Sequence, residues 1–259
     1  MKRTAVFILV VGLLVCAFAQ QNNYNPWAKL LKNAPDMTIT ARNTSTQKDG
    51  AVSVLSQKVY ISKGKMRSDL SLISTTEKNY DPAKDPMFPY SVISDAASAK
   101  AYMIIHSKKG YAEMNLKDTG GELAADYVEE RKLLGEEKVG KWDCKKYNVK
   151  SYLKSSPQTR SERTVWESKK DGIPVKVEMQ DAQAKVVFLV EDIRFGAVSA
   201  SLFELPAGYK KAASFMALFM EGLMPAEETQ KTNETEPSGD DTDKDALEGM
   251  DMLKKLIGK

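Results

Sequence analysis

Between residues 36 and 195 the chain repeats one pattern: a short run rich in Val, Ile, Tyr, Thr and Met, closed by a turn. Such runs occupy 36–42, 51–62, 65–76, 100–107, 111–116, 143–153, 162–168, 173–181 and 184–195. Lys63-Gly64 and Lys108-Lys109-Gly110 connect runs in the first half. Lys169-Lys170-Asp171-Gly172 and Asp181-Ala182-Gln183 connect the last three. β-branched and aromatic runs broken by Gly- and Asp-bearing turns form antiparallel meanders. About nine strands with few helices predict a mainly β fold with helices (α+β): one large curved antiparallel sheet.

Alternation shows how the sheet is covered. Val175, Val177 and Met179 alternate with Lys176, Glu178 and Gln180, the signature of a sheet with one dry face. Val186-Val187-Phe188-Leu189-Val190 is apolar on both sides and predicts a central strand. Helices are expected at 26–32, with Pro26 in the first turn, at 122–134 before Gly135, and at 212–223. The last carries Phe215, Leu218, Phe219 and Leu223 on one face. These helices are the material available to cover the concave side. A concavity only partly filled would leave an apolar pocket, with Met66, Leu70, Leu72, Val175, Val177 and Met179 as candidate ligand-binding residues. Complete filling is the alternative.

The chain's first residues fit an export signal. Lys2 and Arg3 precede an apolar stretch over 5–15, and Ala17-Phe18-Ala19 offers small residues for cleavage before Gln20. The stretch is well short of the roughly 20 residues that cross a hydrocarbon core. Leu13-Leu14-Val15-Cys16 resembles a lipoprotein processing site faintly, but Val15 is bulky for the position before a lipidated cysteine. A soluble periplasmic or secreted protein with residues 1–19 removed is expected, with no later membrane-spanning segment.

Removal of the signal leaves Cys144 as the single cysteine, so no intramolecular disulfide is possible. A buried cysteine acting as a small hydrophobe is expected there. The remaining chain is long enough to bury an ordinary core without covalent staples.

Charge divides by segment. Residues 226–245 hold Glu227, Glu228, Glu234, Glu236, Asp240, Asp241, Asp243 and Asp245 against Lys231 and Lys244, a net of −6. With Pro225, Pro237 and Gly239 and almost no apolar residues, residues 225–245 are expected to be a disordered acidic linker. Residues 246–259 place Leu247, Met250, Leu253, Leu256 and Ile257 at helical spacings and predict a short amphipathic helix. Residues 20–224 are then one β domain. Its basic residues are dispersed along strands, which argues against a nucleic-acid partner.

Phe203-Glu204-Leu205-Pro206-Ala207-Gly208-Tyr209-Lys210-Lys211 resembles the closing motif of the bacterial domain of unknown function 4412 family, in the LolA-like superfamily of outer-membrane lipoprotein carriers. Val59-Tyr60-Ile61-Ser62-Lys63-Gly64-Lys65-Met66-Arg67-Ser68-Asp69 resembles its early hairpin. Residues 134–147, with Gly140-Lys141-Trp142, resemble its central strand, and Thr164-Val165-Trp166-Glu167-Ser168 with Ile173-Pro174-Val175-Lys176 its late hairpin. The resemblance implies a half-open antiparallel barrel with helices in its mouth, working in the bacterial envelope. It also implies a carrier or binding role toward a lipid, acyl chain or lipidated partner. The alternative is an envelope protein–protein interaction or stress-sensor module with a filled core.

Catalysis is not expected. His106 is the single histidine, so a two-histidine mechanism or histidine-rich metal site is unavailable, and one cysteine makes no cysteine zinc site. Neither a Gly-x-Ser-x-Gly elbow nor a phosphate-cradling glycine loop occurs. A triad of His106 with a serine and an aspartate is conceivable, but His106 ends an apolar strand and reads as a structural histidine. No cofactor or metal is implied.

Overall fold

A computed structural model describes residues 34–77, 80, 85, 87–115, 127–153 and 156–220. The expected signal at 1–19, the helix at 26–32, the acidic linker and the terminal helix lie outside these residues.

Two antiparallel meanders build one 12-stranded sheet. The first runs through β1 (Met37–Gln47), β2 (Val52–Ser62), β3 (Lys65–Thr75), β4 (Tyr90–Asp95), β5 (Lys100–Ile105) and β6 (Gly110–Asn115). The second runs through β7 (Tyr127–Val139), β8 (Trp142–Leu153), β9 (Ser156–Ser168), β10 (Pro174–Gln180) and β11 (Ala184–Phe195). They join where β1 pairs antiparallel with β11. A 3-10 turn (Ala200–Phe203) then leads to the two-residue β12 (Lys210–Lys211), which pairs parallel with β6, and to helix α1 (Phe215–Met220). The order across the sheet is β12-β6-β5-β4-β3-β2-β1-β11-β10-β9-β8-β7, so β7 and β12 are its edges.

Local chemistry explains the turns and the bending. Lys63 (φ 49°) and Gly64 (φ 77°) form the tight β2–β3 turn, where positive φ at both central residues matches the twist of the strands. Register shifts at Thr40/Ala41, Val54/Leu55, Leu133/Gly135, Ser151/Leu153 and Pro174/Lys176 mark bulges. A bulge bends its strand and tightens its twist, which curls a long sheet.

Residues directly opposite one another share a face. Through the registers Ile193↔Ile39↔Val59 and Phe188↔Val177↔Val165, one face collects Met37, Ile39, Val59, Ile61, Val149, Val165, Val177, Phe188 and Val190. All are at most 8% exposed. On β3–β6 the same face carries Met66, Leu70, Tyr90, Met103, Ile105 and Ala112. Full burial of each large side chain contributes about 1.5–3 kcal/mol. The other face carries Lys58, Arg67, Tyr102, Glu113, Lys176 and Glu178.

Three expectations change. The expected helix over 122–134 is strand from Tyr127 onward, and its first residues lie outside the described ones. Its Glu, Lys and Leu residues favour helix locally, but twelve register positions against β8 override a weak propensity. Strand β4 interrupts a stretch where none was expected. A helical cover over the whole concave side is not found among the described residues. The expected helix at 212–223 is helical over Phe215–Met220 and packs at the β3–β6 end of the apolar face.

Cys144 is free, 1% exposed, and packs in the main core cluster as expected; burial pushes its thiol up.

Candidate functional site

The six candidate ligand-binding residues all come from β3 and β10. Three strands, β2, β1 and β11, separate those two in the sheet. Met66, Val175 and Val177 belong to one core cluster, against which Met179 packs. Leu70 belongs to a second cluster, with Leu72 and α1's Phe215 packed beside it and Phe219 within it. The candidates thus form two groups. Met66, Leu70, Val175 and Val177 are 8%, 5%, 0% and 2% exposed, while Leu72 and Met179 are half-buried.

A polar track crosses the apolar face between these groups. Asn43 Nδ2 donates to Gln57 Oε1 at 2.7 Å, and Gln57 Nε2 donates to Ser68 Oγ at 2.6 Å. Ser94 continues the diagonal on β4, its hydroxyl oxygen buried and without a hydrogen-bond partner among the described residues. Polar residues at apolar-face positions are the sequence signal for this track. That signal becomes readable only once register is known.

On the opposite face the fold assembles a serine, a histidine and an aspartate. Ser91 Oγ donates to Asp69 Oδ1 at 2.6 Å and lies 2.7 Å from His106 Nε2. Arg67 Nε donates to Asp69 Oδ1 at 2.6 Å, and another guanidinium nitrogen donates to Ser91 Oγ at 3.3 Å. His106 Nδ1 lies 3.1 Å from the Tyr209 hydroxyl. A hydroxyl has one proton, and here it goes to the carboxylate. The serine oxygen therefore accepts from Arg67 and from His106 Nε2–H, and Nδ1 accepts from Tyr209. In a nucleophilic triad the imidazole accepts the serine proton and the carboxylate orients the imidazole. Here the carboxylate holds the serine.

The cluster works as a clamp on the closing segment. Arg67 also donates to the Leu202 carbonyl at 3.0 Å, and Tyr209 stacks edge-on against His106. Pro206 and the positive φ of Gly208 (77°) shape the turn that brings Tyr209 back to the sheet. The structural histidine expected from sequence is thus placed, together with its partners.

Burial, then the nearby Arg67 charge, lowers the His106 pKa, with Asp69 opposing. A histidine with a folded-state pKa below its unfolded value of about 6.5 binds its proton better in the unfolded chain. Its contribution is full above that value and is lost as pH falls through the lowered one. Urea midpoints should therefore fall between about pH 7.5 and about pH 5, and His106→Gln should flatten that part of the profile. Glu77, whose carboxyl is raised by burial, acts in the opposite direction. An unchanged slope in His106→Gln would assign the dependence to other groups.

Among the described residues no group of three or more His, Cys, Asp and Glu side chains could hold a metal ion. No helix there is long and apolar enough to cross a membrane.

Residues 43–157 match the family model described as Domain of unknown function (DUF4412). The resemblance to this family drawn from the early hairpin and the central strand falls within the matched residues, and the late hairpin lies beyond them. The match runs from within β1 into β9 and ends before the closing motif at 203–211. No curated protein matches the chain. Among solved structures, an uncharacterized conserved protein from Thermus thermophilus is similar at 9% identity and TM-score 0.46, covering 78% of this chain and 98% of that one. A LolA superfamily protein from Nitrosomonas europaea is similar at 13% identity and TM-score 0.37, covering 71% and 96%. LprF from Mycobacterium bovis is similar at 11% identity and TM-score 0.36, covering 73% and 96%.

Proposed function

We propose that this DUF4412-containing chain is an exported, non-catalytic envelope protein that binds an acyl chain, a lipid or a lipidated partner on its apolar sheet face. The observation that carries this reading is the extent of that face, which is apolar on both sides of the polar track. Apolar side chains run across it from β6 to β8, and α1 packs on one end. Leu72, Val92, Met114, Met179 and Ile193 are only partly buried on it, which leaves apolar surface where a chain could enter. The export signal expected at residues 1–19 supports a periplasmic location.

Protein purified from a membrane-containing source should carry lipid detectable by mass spectrometry and should take up a fluorescent fatty acid. Met179→Lys, at a half-buried position, should weaken uptake by about tenfold or more, the equivalent of ~1.4 kcal/mol. Lipid-free protein that refuses the probe would overturn the reading.

The near-complete burial of Met66, Leu70, Val175 and Val177 favours a second reading, a protein-interaction module with a filled core. A reproducible protein partner together with no lipid uptake would select it.

A further inference from the structure

Strand β7 is a 13-residue sheet edge with no strand on its outer side among the described residues. Edges of this length normally carry charge or a cover, because unpaired N–H and C=O groups template another strand. β7 does carry charge, but at its centre Leu133 and Leu134 are 55% and 49% exposed. Large apolar groups at the middle of an open edge mark a pairing surface.

The pattern around them fits itself. The bulge at Leu133/Gly135 exchanges the faces to which odd and even residues point. Glu129, Arg131 and Leu133 therefore share one face with Glu136 and Lys138, while Glu130 and Lys132 share the other with Glu137. A two-fold axis perpendicular to the sheet keeps like faces together and reverses strand direction. With that axis between Leu133 and Leu134, Arg131 meets Glu136 of the second copy and Glu129 meets Lys138. Leu133 meets Leu134, and Val128 meets Val139. Each contact occurs twice. Glu130 opposite Glu137 is the one unfavourable pair. Glu137 is already held by Lys146 at 3.1 Å and by Trp166 Nε1 at 3.0 Å, and Lys132 of the second copy lies diagonally across from it. Arg131 and Glu136 also bridge within the chain, to Glu167 and Lys169, and both groups have capacity for a further bond.

We infer that β7 pairs antiparallel with β7 of a second copy, joining two sheets through Leu133 and Leu134 into one continuous sheet. The inference does not depend on the proposed ligand. A strand-to-strand contact buries less area than a standard interface, so the dimer is concentration-dependent.

Sedimentation equilibrium of the full chain tests this directly. The wild type should pass from monomer to dimer mass with concentration. Leu134→Glu, at an exposed position, should shift that transition upward by about tenfold or more while leaving far-ultraviolet circular dichroism unchanged. Arg131→Glu alone and Glu136→Lys alone should each stay monomeric, because each places like charges across the axis twice. Mixed one to one, they should recover the dimer, since both contacts become complementary in the heterodimer. A wild type that stays monomeric, a dimer indifferent to Leu134→Glu, or failure of the mixture to recover association would each overturn the inference.

Discussion

Replacing Glu129 with alanine is expected to destabilise the protein by about 3–5 kcal/mol, the cost typical of removing one partner from a buried ion pair. Arg163 lies on the apolar face opposite Val149 and Met179, and its side chain is 1% exposed. A guanidinium stays charged at any accessible pH, so it cannot relieve burial by losing its proton. One nitrogen donates to Glu129 at 2.8 Å, and another donates to Ser151 Oγ at 2.7 Å. Glu129→Ala removes the carboxylate and keeps the buried cation. Arg163→Met removes the cation itself and leaves a carboxylate on a side chain that is 15% exposed, so its loss should be smaller. By contrast, Arg42–Glu191, with side chains 51% and 40% exposed, should contribute at most about 1 kcal/mol. Urea denaturation of the three variants checks the order. Equal losses for Glu129→Ala and Glu191→Ala would show that water reaches Arg163.

Leu218→Ala should cost about 2–5 kcal/mol, the range for truncating a fully buried leucine. Leu218 is 0% exposed and packs with Ile105 and Ala112, fixing α1 to the end of the sheet. A methyl group on Gly110 would stand 2.6 Å from Leu218 Cδ1, so glycine allows this approach. Lys108 Nζ then donates to the carbonyls of Leu218 and Phe219 at 2.7 and 2.6 Å, satisfying the helix's last acceptors. Met216, 40% exposed on the same helix, should tolerate alanine within about 0.5 kcal/mol. A double-mutant cycle sharpens the test. Gly110→Ala should be costly alone and much less so beside Leu218→Ala, because the clash partner is gone. Additive losses would place the effect of Gly110 elsewhere.

The acidic limb of the pH profile has a further contributor. Lys100 and Lys211 hold the Glu113 carboxyl down to about 2 by hydrogen bonds and charge. A carboxyl lowered in the folded state adds stability above its unfolded pKa, and that stability is lost as pH falls toward the lowered value. Glu113 is solvent-facing, so its share is small and sensitive to salt.

How much of this was readable depends on the range of the interaction concerned. Alternation in Val175, Val177 and Met179 marks a one-sided strand because side-chain direction has a period of two, a property of the chain alone. Lys63-Gly64 marks its hairpin for an equally local reason. The burial of Cys144 was legible because a lone cysteine acts as a small hydrophobe, and the structural reading of His106 came from its place at the end of an apolar strand. β7 was unreadable because Glu, Arg, Lys and Leu favour helix locally, and only the register against β8 makes them strand. The His106 clamp draws on Arg67 and Asp69 from β3, Ser91 from β4 and Tyr209 from the closing segment. No spacing rule brings those residues together.

From the sequence alone come a β-rich chain of turn-linked strands with one dry face and the lack of histidine-rich or cysteine-rich chemistry. These follow from residue type and short-range periodicity. Tertiary structure alone decided that β1 joins β11 and that the candidate ligand residues fall into two groups. It also decided that the serine, histidine and aspartate form a clamp, and that β7 stands open at the edge. Each of these depends on strands far apart in sequence becoming neighbours in the sheet, and pairing order and bulges set that.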